Sequence, residues 1–278
     1  MKKINCVTGI AILAGLLAAG SASAHEMFLK GKNLFVAPNS DQFIWLVNGT
    51  FDKSENSIDR SRMASVNIIA NGKVSKPSAD SWSDDEKKTY STLSYKTGAP
   101  GTYVIGVSTK PNALSLSRED FIAYLKHDGV LDTLASFEKQ SKLKTVRERY
   151  SKHVRTIVQV GDKRTDDFAK PLGYPVEIML DSNPYSLRFG DKVSFRVLYK
   201  GKPVANQIVR ASYEGFHGHD AGGGHVNAHE LRTDADGRAQ FILTNKAVWY
   251  ISLIHMQKVA GGDVDYESNW ATLTFQVK

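Results

Sequence analysis

The amino-acid sequence predicts a mainly β protein with two antiparallel β-sandwich domains, the second of them immunoglobulin-like, and a helical insertion after the first. Short runs rich in β-branched and aromatic residues recur along most of the chain, and Gly, Pro and Asn separate them, which is typical of strands and turns. One charged segment near the middle instead has apolar residues at helical spacing. After residue 175, roughly seven strand-like runs follow at regular intervals, a pattern typical of an immunoglobulin-like sandwich.

The first domain is expected over residues 25–161. It contains the strand-like runs NLFVAP, QFIWLVNG, ASVNIIANG, TYSTLSY and GTYVIGVSTK. Asn-Gly dipeptides at 48–49 and 71–72 are preferred in tight hairpin turns. These features predict an antiparallel sandwich or barrel in residues 25–110.

A helical insertion is expected over about residues 117–150. Ser117 is a suitable N-cap, because it precedes two acidic residues that favour the first turn of a helix. Apolar residues then follow at helical spacing, and Gly129 is expected to end this helix. The segment VLDTLASFEKQSKLKTVRERYSKH has the pattern of a second, amphipathic helix, so we predict a pair of helices within or against the first domain.

A linker is expected between the two domains. The segment DKRTDDFAKPLGYP is polar and contains two prolines, which suits a domain boundary over residues 162–175. The second domain then covers residues 176–278, with strand-like runs that include VEIML, KVSFRVLY, QIVRASYEG, AVWYISLIHM and WATLTFQVK. Because these runs are short and evenly spaced, they predict the immunoglobulin-like sandwich.

Residues 1–24 have the three parts of a secretory signal peptide. Lys2 and Lys3 are followed by the apolar run CVTGIAILAGLLAAG and by the small residues ASA, which end at Ala24. We therefore expect export, cleavage after Ala24, and a mature chain that begins at His25 in the periplasm. The apolar run is shorter than the roughly 20 residues of a membrane span, and no second such run follows, so no membrane span is expected in the mature chain.

Composition argues against several classes of function. The only cysteine, Cys6, lies within the signal peptide, so no disulfide or thiol chemistry is expected in the mature chain. The formal net charge is +7, but the basic residues are scattered and form no stripe with interleaved aromatics, so no nucleic-acid partner is expected. The sequence has no nucleophile elbow, phosphate loop or HExxH motif. No catalytic residue is therefore assigned, and an enzyme is not the favoured interpretation.

A histidine-rich segment is the main candidate for a metal site. GFHGHDAGGGHVNAHE contains four of the eight histidines, namely His217, His219, His225 and His229. In an extended chain His217 and His219 lie on the same face, and the intervening glycines let the chain fold back toward the other two. Imidazole ligands suit zinc, copper, nickel and cobalt. Both a specific metal site and an exposed loop with weak affinity for metals are consistent with this composition.

Cleavage after Ala24 also makes the first residue of the mature chain a candidate ligand. The free α-amine of His25 and its imidazole Nδ1 can chelate one ion, and a nitrogen from another histidine would complete the histidine brace of copper proteins. The amine, with a reference pKa of about 7.7–8.0, must lose its proton to bind. His255, at the end of an apolar run, is a further candidate ligand or a packed edge histidine. His127 and His153 are expected on the surface of the helical segment.

The sequence resembles a family of exported bacterial proteins. The resemblance is carried by HEMFL at the expected mature start, EDFIAYLKHDGV, RERYSKHVRTIVQVGD, GYPVEIMLDSNPYSLRFGDKVSFRVLYKGKPV, TDADGRAQF and WATLTFQV, in that order over nearly the whole mature chain. The family is labelled as a domain of unknown function and also as a periplasmic, substrate-specific component of nickel/cobalt uptake. The resemblance therefore implies metal handling, and it carries no catalytic residues to this chain.

These observations favour a periplasmic protein that binds nickel, cobalt or copper and supports metal uptake or trafficking. The ion would be bound at the 217–229 segment, with or without His25, and passed to a metal transporter or outer-membrane receptor. Two other functions fit the same residues. One is a copper enzyme built on a His25 brace, and the other is a structural or adhesive β-sandwich module in which the histidines are incidental. The sequence leaves open which metal is native and whether His25 meets the 217–229 segment.

Overall fold

The computed structural model describes residues 26–219 and 225–278, most of which form strands. The strands are β1 (Glu26–Lys30), β2 (Phe35–Val36), β3 (Asp41–Gly49), β4 (Met63–Ala70), β5 (Lys73–Ser75), β6 (Trp82–Asp84), β7 (Tyr90–Lys96), β8 (Gly101–Thr109), β9 (Asn112–Ser117), β10 (Thr145–Val160), β11 (Val176–Leu180), β12 (Lys192–Tyr199), β13 (Lys202–Pro203), β14 (Ile208–Tyr213), β15 (Gly218–His219), β16 (His225–Val226), β17 (His229–Arg232), β18 (Arg238–Ile242), β19 (Val248–Lys258) and β20 (Tyr266–Gln276). The helices are α1 (Arg118–His127) and α2 (Leu131–Gln140), and short 3-10 helices cover Arg60–Arg62, Ala79–Ser81, Asp166–Ala169 and Pro184–Ser186. None of the helices in these residues is long and apolar enough to cross a membrane.

Three sheets and one short ribbon organise the described strands. The first sheet has the order β1-β3-β7-β6, and the third has the order β11-β12-β13 with β18 also paired to β12. The central sheet has the order β17-β14-β19-β20-β10-β8-β4-β5, and β2 and β9 also pair with β10. β15 and β16 form the separate ribbon. β10 runs parallel to β2 and β20, whereas its pairings with β8 and β9 are antiparallel.

The sheets pack around one main hydrophobic core. Along β3, Ile44 and Leu46 are buried, whereas the intervening residue Trp45 is half-buried and Phe43 is exposed, which is the alternation expected for a strand with one buried face. In the second half of the chain, Phe195 of the third sheet and Trp249 of the central sheet belong to the same buried cluster. The fold class predicted from the sequence, mainly β with sandwich packing, is therefore confirmed.

Strands from both predicted domains share the central sheet. β10 pairs in parallel with β20, starting with Glu148 opposite Tyr266, although the two strands lie on opposite sides of the predicted linker. Residues 162–175 connect β10 to β11 and contain one 3-10 helix. The division into domains at 25–161 and 176–278 stays a prediction, but the hydrogen bonds of one sheet join the two halves.

The first helix begins where the sequence predicts, whereas the second ends earlier. The Ser117 hydroxyl accepts a hydrogen bond from the Asp120 backbone N–H at 3.0 Å, which is the N-cap interaction. α2 ends at Gln140, and the chain forms β10 from Thr145 onward. The prediction of a helical segment over residues 117–150 is therefore wrong after residue 140, because residues from Thr145 onward form a strand. Pairing with β9 and β20 outweighs the helical propensity of the charged residues there.

Replacing Ser117 with alanine is expected to lower the free energy of unfolding by about 1 kcal/mol, because the first turn of α1 loses an acceptor for its free N–H groups. Urea unfolding followed by circular dichroism measures the change. Ser115, an exposed residue of β9, provides the control, and Ser115→Ala is expected to change stability by less than about 0.5 kcal/mol. Equal effects of the two substitutions would contradict the N-cap assignment.

Candidate functional site

The backbone folds back on itself in the histidine-rich segment. β15 and β16 are antiparallel, and their register places His219 opposite His225. Positions opposite one another in an antiparallel pair lie on the same face. His217 is exposed and comes directly before β15, and residues 220–224 lie outside the described chain. The ribbon therefore brings together the positions of three of the four histidines predicted as ligands in this segment.

His229 lies away from the ribbon, at the start of β17. Its backbone faces Ala211 of β14, and the centroid of its half-buried ring lies 5.1 Å from that of Phe241 and 6.0 Å from that of Trp249. Burial lowers the pKa of this imidazole, and its Nε2 has no hydrogen-bond partner among the described residues. The structure thus gives His229 a packing position in the central sheet and does not bring it to the ribbon.

His255 is buried in β19 and lines a cleft that we call the second cleft. Residues of α2 and β19 line this cleft, together with Glu26, Asp128 and Arg210. Its Nδ1 lies 2.9 Å from the Gln207 side-chain oxygen, and because that oxygen only accepts hydrogen bonds, Nδ1 carries the proton. Nε2 is then unprotonated and has no partner among the described residues, while burial lowers the pKa of the ring. Metal-bound histidines are commonly held in this way through their other nitrogen, so His255 has the tautomer that a ligand needs.

A cleft of about 170 Å³ lies between the first described residue and the base of the ribbon, and we call it the amino-terminal cleft. Glu26 lines one part of it, and Phe216 and Asn227 line another. His25, which lies outside the described residues, directly precedes Glu26, and His217 directly follows Phe216. Both predicted metal-binding segments are therefore adjacent in sequence to residues that line this cleft.

Charged and titratable groups from other elements also line the amino-terminal cleft. They are Asp52 after β3, His127 and Asp128 at the end of α1, and Arg210 of β14. Arg210 Nη1 donates a hydrogen bond to the Asp128 backbone oxygen at 2.5 Å, and its Nε lies 3.3 Å from a carboxylate oxygen of Glu230. Arg210 thus ties the end of α1 to the central sheet.

Two carboxyl groups at this cleft are shifted toward their protonated forms. Burial raises the pKa of Asp128 to about 8, and the nearby Glu26 carboxylate adds to the rise. Burial also raises the pKa of Glu26, against the opposing effects of a hydrogen bond with Ser252 and of the charge of Arg210. A cation bound beside these groups would favour their charged forms and offset the cost of burying them.

The two histidines expected on the surface of the helical segment have different surroundings. His127 is exposed at the end of α1, as expected. His153 is instead buried in β10, where Nδ1 lies 2.9 Å from the Ser108 hydroxyl and Nε2 lies 3.0 Å from the Asn269 side-chain oxygen. Both ring nitrogens of His153 are therefore engaged within the core, and only His127 is available at the cleft.

Comparison with known sequences identifies the family of this chain. The sequence model of a family described as "Domain of unknown function (DUF4198)" matches residues 22–257. The chain belongs to this family. No curated protein matches it. The matched residues of this chain include both the start of β1 and the histidine ribbon.

The solved structures similar to this DUF4198 protein are distant from it. The D0-D1 domain of intimin is 12% identical over 91% of this chain and 98% of its own chain, with a TM-score of 0.22. A Salmonella alpha-2-macroglobulin is 11% identical over 90% of this chain and 15% of its own, with a TM-score of 0.25. The Yersinia pseudotuberculosis adhesin InvE is 13% identical over 90% of this chain and 58% of its own, with a TM-score of 0.22. At these scores the similarity bears on neither function nor partners.

The sequence analysis did not predict Glu26, Asp128 and Arg210 of this chain as residues of the candidate site. They come from distant parts of the chain, and only the packing of α1 and β14 against the start of β1 brings them to one cleft. Among the side chains that the structure describes, no group of three or more His, Cys, Asp or Glu is placed to hold a metal ion. A metal site at this cleft therefore depends on His25 or on the ribbon.

Gly129 has a φ of +62°, and a Cβ atom added at this position would lie 1.3 Å from Arg210 Nη2. Gly129→Ala is expected to displace this guanidinium and to lower the free energy of unfolding by about 2 kcal/mol, through the left-handed backbone and the lost hydrogen bond to Asp128. Gly173→Ala is the control, because φ is +79° there but nothing lies within 4 Å of the added Cβ. Urea unfolding measures the stability of both variants. Equal losses of stability would show that the contact between Gly129 and Arg210 contributes nothing to the effect of Gly129→Ala.

Proposed function

We propose that this protein is an exported carrier of a transition-metal ion, nickel, cobalt or copper, which it binds at the amino-terminal cleft. One observation supports this most directly. Glu26 and Phe216 line the same cleft, and in the sequence Glu26 follows the predicted ligand His25 and Phe216 precedes the predicted ligand His217. Nitrogen ligands from these two segments suit the three metals, and zinc accepts the same donors.

The ligands of this proposed site come from the terminus and from the ribbon. His25 supplies its α-amine and its imidazole once the signal peptide is removed, and His217 supplies a further imidazole. The opposed positions of His219 and His225 provide two more imidazoles on the same ribbon. His127, exposed at the wall of the cleft, is an additional nitrogen donor within reach of this region of the surface.

A carrier must release its ion as well as capture it. Ligands on a chain terminus and on a short ribbon can exchange one at a time, in contrast to the closed four-ligand sites that hold structural zinc. Transfer to a metal transporter or outer-membrane receptor, and the uptake role named for the resembling family, fit such a carrier. The signal peptide expected at residues 1–24 provides the periplasmic location, and no catalytic step is required.

Protein that is exported and cleaved in cells, with His25 as its first residue and no histidine tag, provides the test. Elemental analysis after dialysis and calorimetric titration with Ni²⁺, Co²⁺, Cu²⁺ and Zn²⁺ measure metal content and affinity. We expect one tightly bound equivalent, and a loss of affinity of at least about tenfold, or 1.4 kcal/mol, in the double variant His217→Ala/His219→Ala. Stoichiometric binding that survives this double substitution would rule out the ribbon as part of the site.

His255→Gln is the matched control for this experiment. His255 does not line the amino-terminal cleft, although Glu26 lines both clefts, so its substitution is expected to leave the metal affinity unchanged. A large loss of affinity in His255→Gln, with none in His217→Ala/His219→Ala, would instead show that the ion binds at the second cleft.

A further inference from the structure

We propose that the protein has a second binding site, for a small soluble molecule that carries an oxyanion group, a carboxylate or a phosphate. Met27, the residue after Glu26, lines a cleft of about 370 Å³ that is separate from the amino-terminal cleft. Its walls come from β3, β9, β10 and the 3-10 helix Arg60–Arg62, and we call it the basic cleft. Among the residues that the structure describes, none of the histidines predicted as metal ligands lines it, and this inference does not use the proposed metal site.

Lys152 places a buried cation in the basic cleft. The residue is only 5% exposed, and its Nζ donates a hydrogen bond to the Asn48 side-chain oxygen at 2.8 Å. Burial and the charge of Arg62 lower the pKa of Lys152 to about 7, while Glu26 and Asp128 oppose this shift. A bound anion would favour the protonated, positively charged form of this amine.

Arg62 is the second cation of the basic cleft, and its contacts hold it in one orientation. Nη1 donates to the Tyr150 hydroxyl at 3.1 Å and Nη2 to the Lys110 backbone oxygen at 3.2 Å, and the guanidinium lies 4.9 Å from the centroid of the Tyr150 ring. The Nε–H of Arg62 is buried and has no partner among the described residues. Leaving a donor of a charged group unpaired is unfavourable, and oxyanions are the acceptors that a guanidinium binds most strongly.

The neutral groups of the basic cleft add hydrogen-bond donors to the two cations. Side-chain amides of Asn48, Asn56 and Asn112 line it. Asp59 is the one carboxylate among the described lining residues, and it already accepts a hydrogen bond from the Ser61 N–H at 2.9 Å as the cap of the 3-10 helix. Two cations and one engaged carboxylate line the cleft, while Glu26 and Asp128 act on Lys152 from outside its lining. The excess of cations in the wall favours an anion. Its volume is in the range of small-molecule sites.

Calorimetric titration of the full mature chain with inorganic phosphate and with citrate tests this proposal. The protein is first freed of metal on a chelating resin and placed in a chloride buffer at about pH 6.5, where Lys152 is charged. We expect saturable binding of one equivalent of at least one probe. Arg62→Gln and Lys152→Met are each expected to lower its affinity at least about tenfold.

Arg60→Gln is the matched control. Arg60 belongs to the same 3-10 helix, but its Nε pairs with Asp84 at 2.9 Å and it does not line the basic cleft, so the affinity should not change. Absence of saturable binding by both probes overturns the proposal, and so does an equal loss of affinity in Arg60→Gln and Arg62→Gln. Tighter binding of citrate identifies a carboxylate ligand, and tighter binding of phosphate identifies a phosphate group.

Lys152→Met keeps the test independent of folding defects. It replaces a buried cation with an apolar side chain of similar length, and its thermal midpoint is measured beside that of Arg62→Gln. A Lys152→Met variant that is folded and still binds the probe as tightly as the unmodified protein would overturn the role of Lys152. Because the protein is free of metal throughout, these outcomes are separate from those of the metal titration.

Discussion

One alanine added before His25 is expected to lower the affinity for the metal ion at least about 100-fold, which corresponds to about 2.7 kcal/mol. The proposed chelate requires the free α-amine and the imidazole Nδ1 on the same residue, and the added alanine converts that amine into an amide. The ion then loses the chelate ring that this amine and Nδ1 close, and the new α-amine of the alanine lies one residue further from Nδ1. Calorimetric titration with Cu²⁺ and Ni²⁺ measures the loss, and the Cu²⁺ complex of the unextended protein should show nitrogen hyperfine splitting in its electron paramagnetic resonance spectrum.

The matched control carries the extra alanine after Lys278 and should bind metal as the unmodified protein does. If the chain extended before His25 binds as tightly as this control, the terminus is not a ligand and the ribbon alone holds the ion. The same variants separate a carrier from a copper enzyme built on His25. The enzyme would lose copper on extension and tolerate His217→Ala/His219→Ala, whereas the carrier loses affinity in both.

Replacing Lys152 with methionine is expected to raise the free energy of unfolding by a few kcal/mol at pH 6, and by less as the pH rises above 7. The pKa of Lys152 is about 7 in the folded protein, against an ordinary value of 10.5, and each unit corresponds to about 1.4 kcal/mol. Below pH 7 the amine is protonated in both states, so the folded state bears the full cost of burying it. Between pH 7 and 10.5 the unfolded state binds more protons, so the unmodified protein gains stability with pH and the advantage of methionine shrinks.

Urea unfolding at pH 6, 7.5 and 9, in a buffer without phosphate or carboxylates, measures this dependence on pH. Lys110→Met is the control, since Lys110 is exposed and its substitution should change stability by less than about 0.5 kcal/mol at each pH. A loss of stability in Lys152→Met at pH 6 would mean that the hydrogen bond to Asn48 stabilises the fold more than burial of the charge destabilises it.

Local elements could be predicted because their signals lie in neighbouring residues. Ser117 and the acidic residues after it mark the start of α1, and Asn71 and Gly72 form the turn between β4 and β5 with φ values of +48° and +82°. The segment from Thr145 onward has charged residues that suit the exposed face of a helix. It becomes β10 because β9 and β20 pair with it, and the partner β20 lies more than a hundred residues further along the chain.

The candidate site could be predicted only in part, for the same reason. The histidine-rich segment was visible from composition, and its glycines indicated the fold-back that places His219 opposite His225. Nothing in the sequence separates His229, whose ring packs near Phe241 of the third sheet and Trp249 of the central sheet, from the histidines at the ribbon. The buried cation of the basic cleft, Lys152, was equally invisible, because a lysine in a charged stretch is ordinarily exposed.

The sequence by itself determined the mainly β class, the start of α1, the candidate metal ligands and the family. Only the tertiary structure decided which segments of the chain line the same cleft. Glu26 and Phe216, which are far apart in the sequence, line one cleft, while His255 lines a second cleft that Glu26 also lines. The physical reason is that strand order and register join distant segments. Both depend on which faces the packed core can bury, and local composition does not specify them.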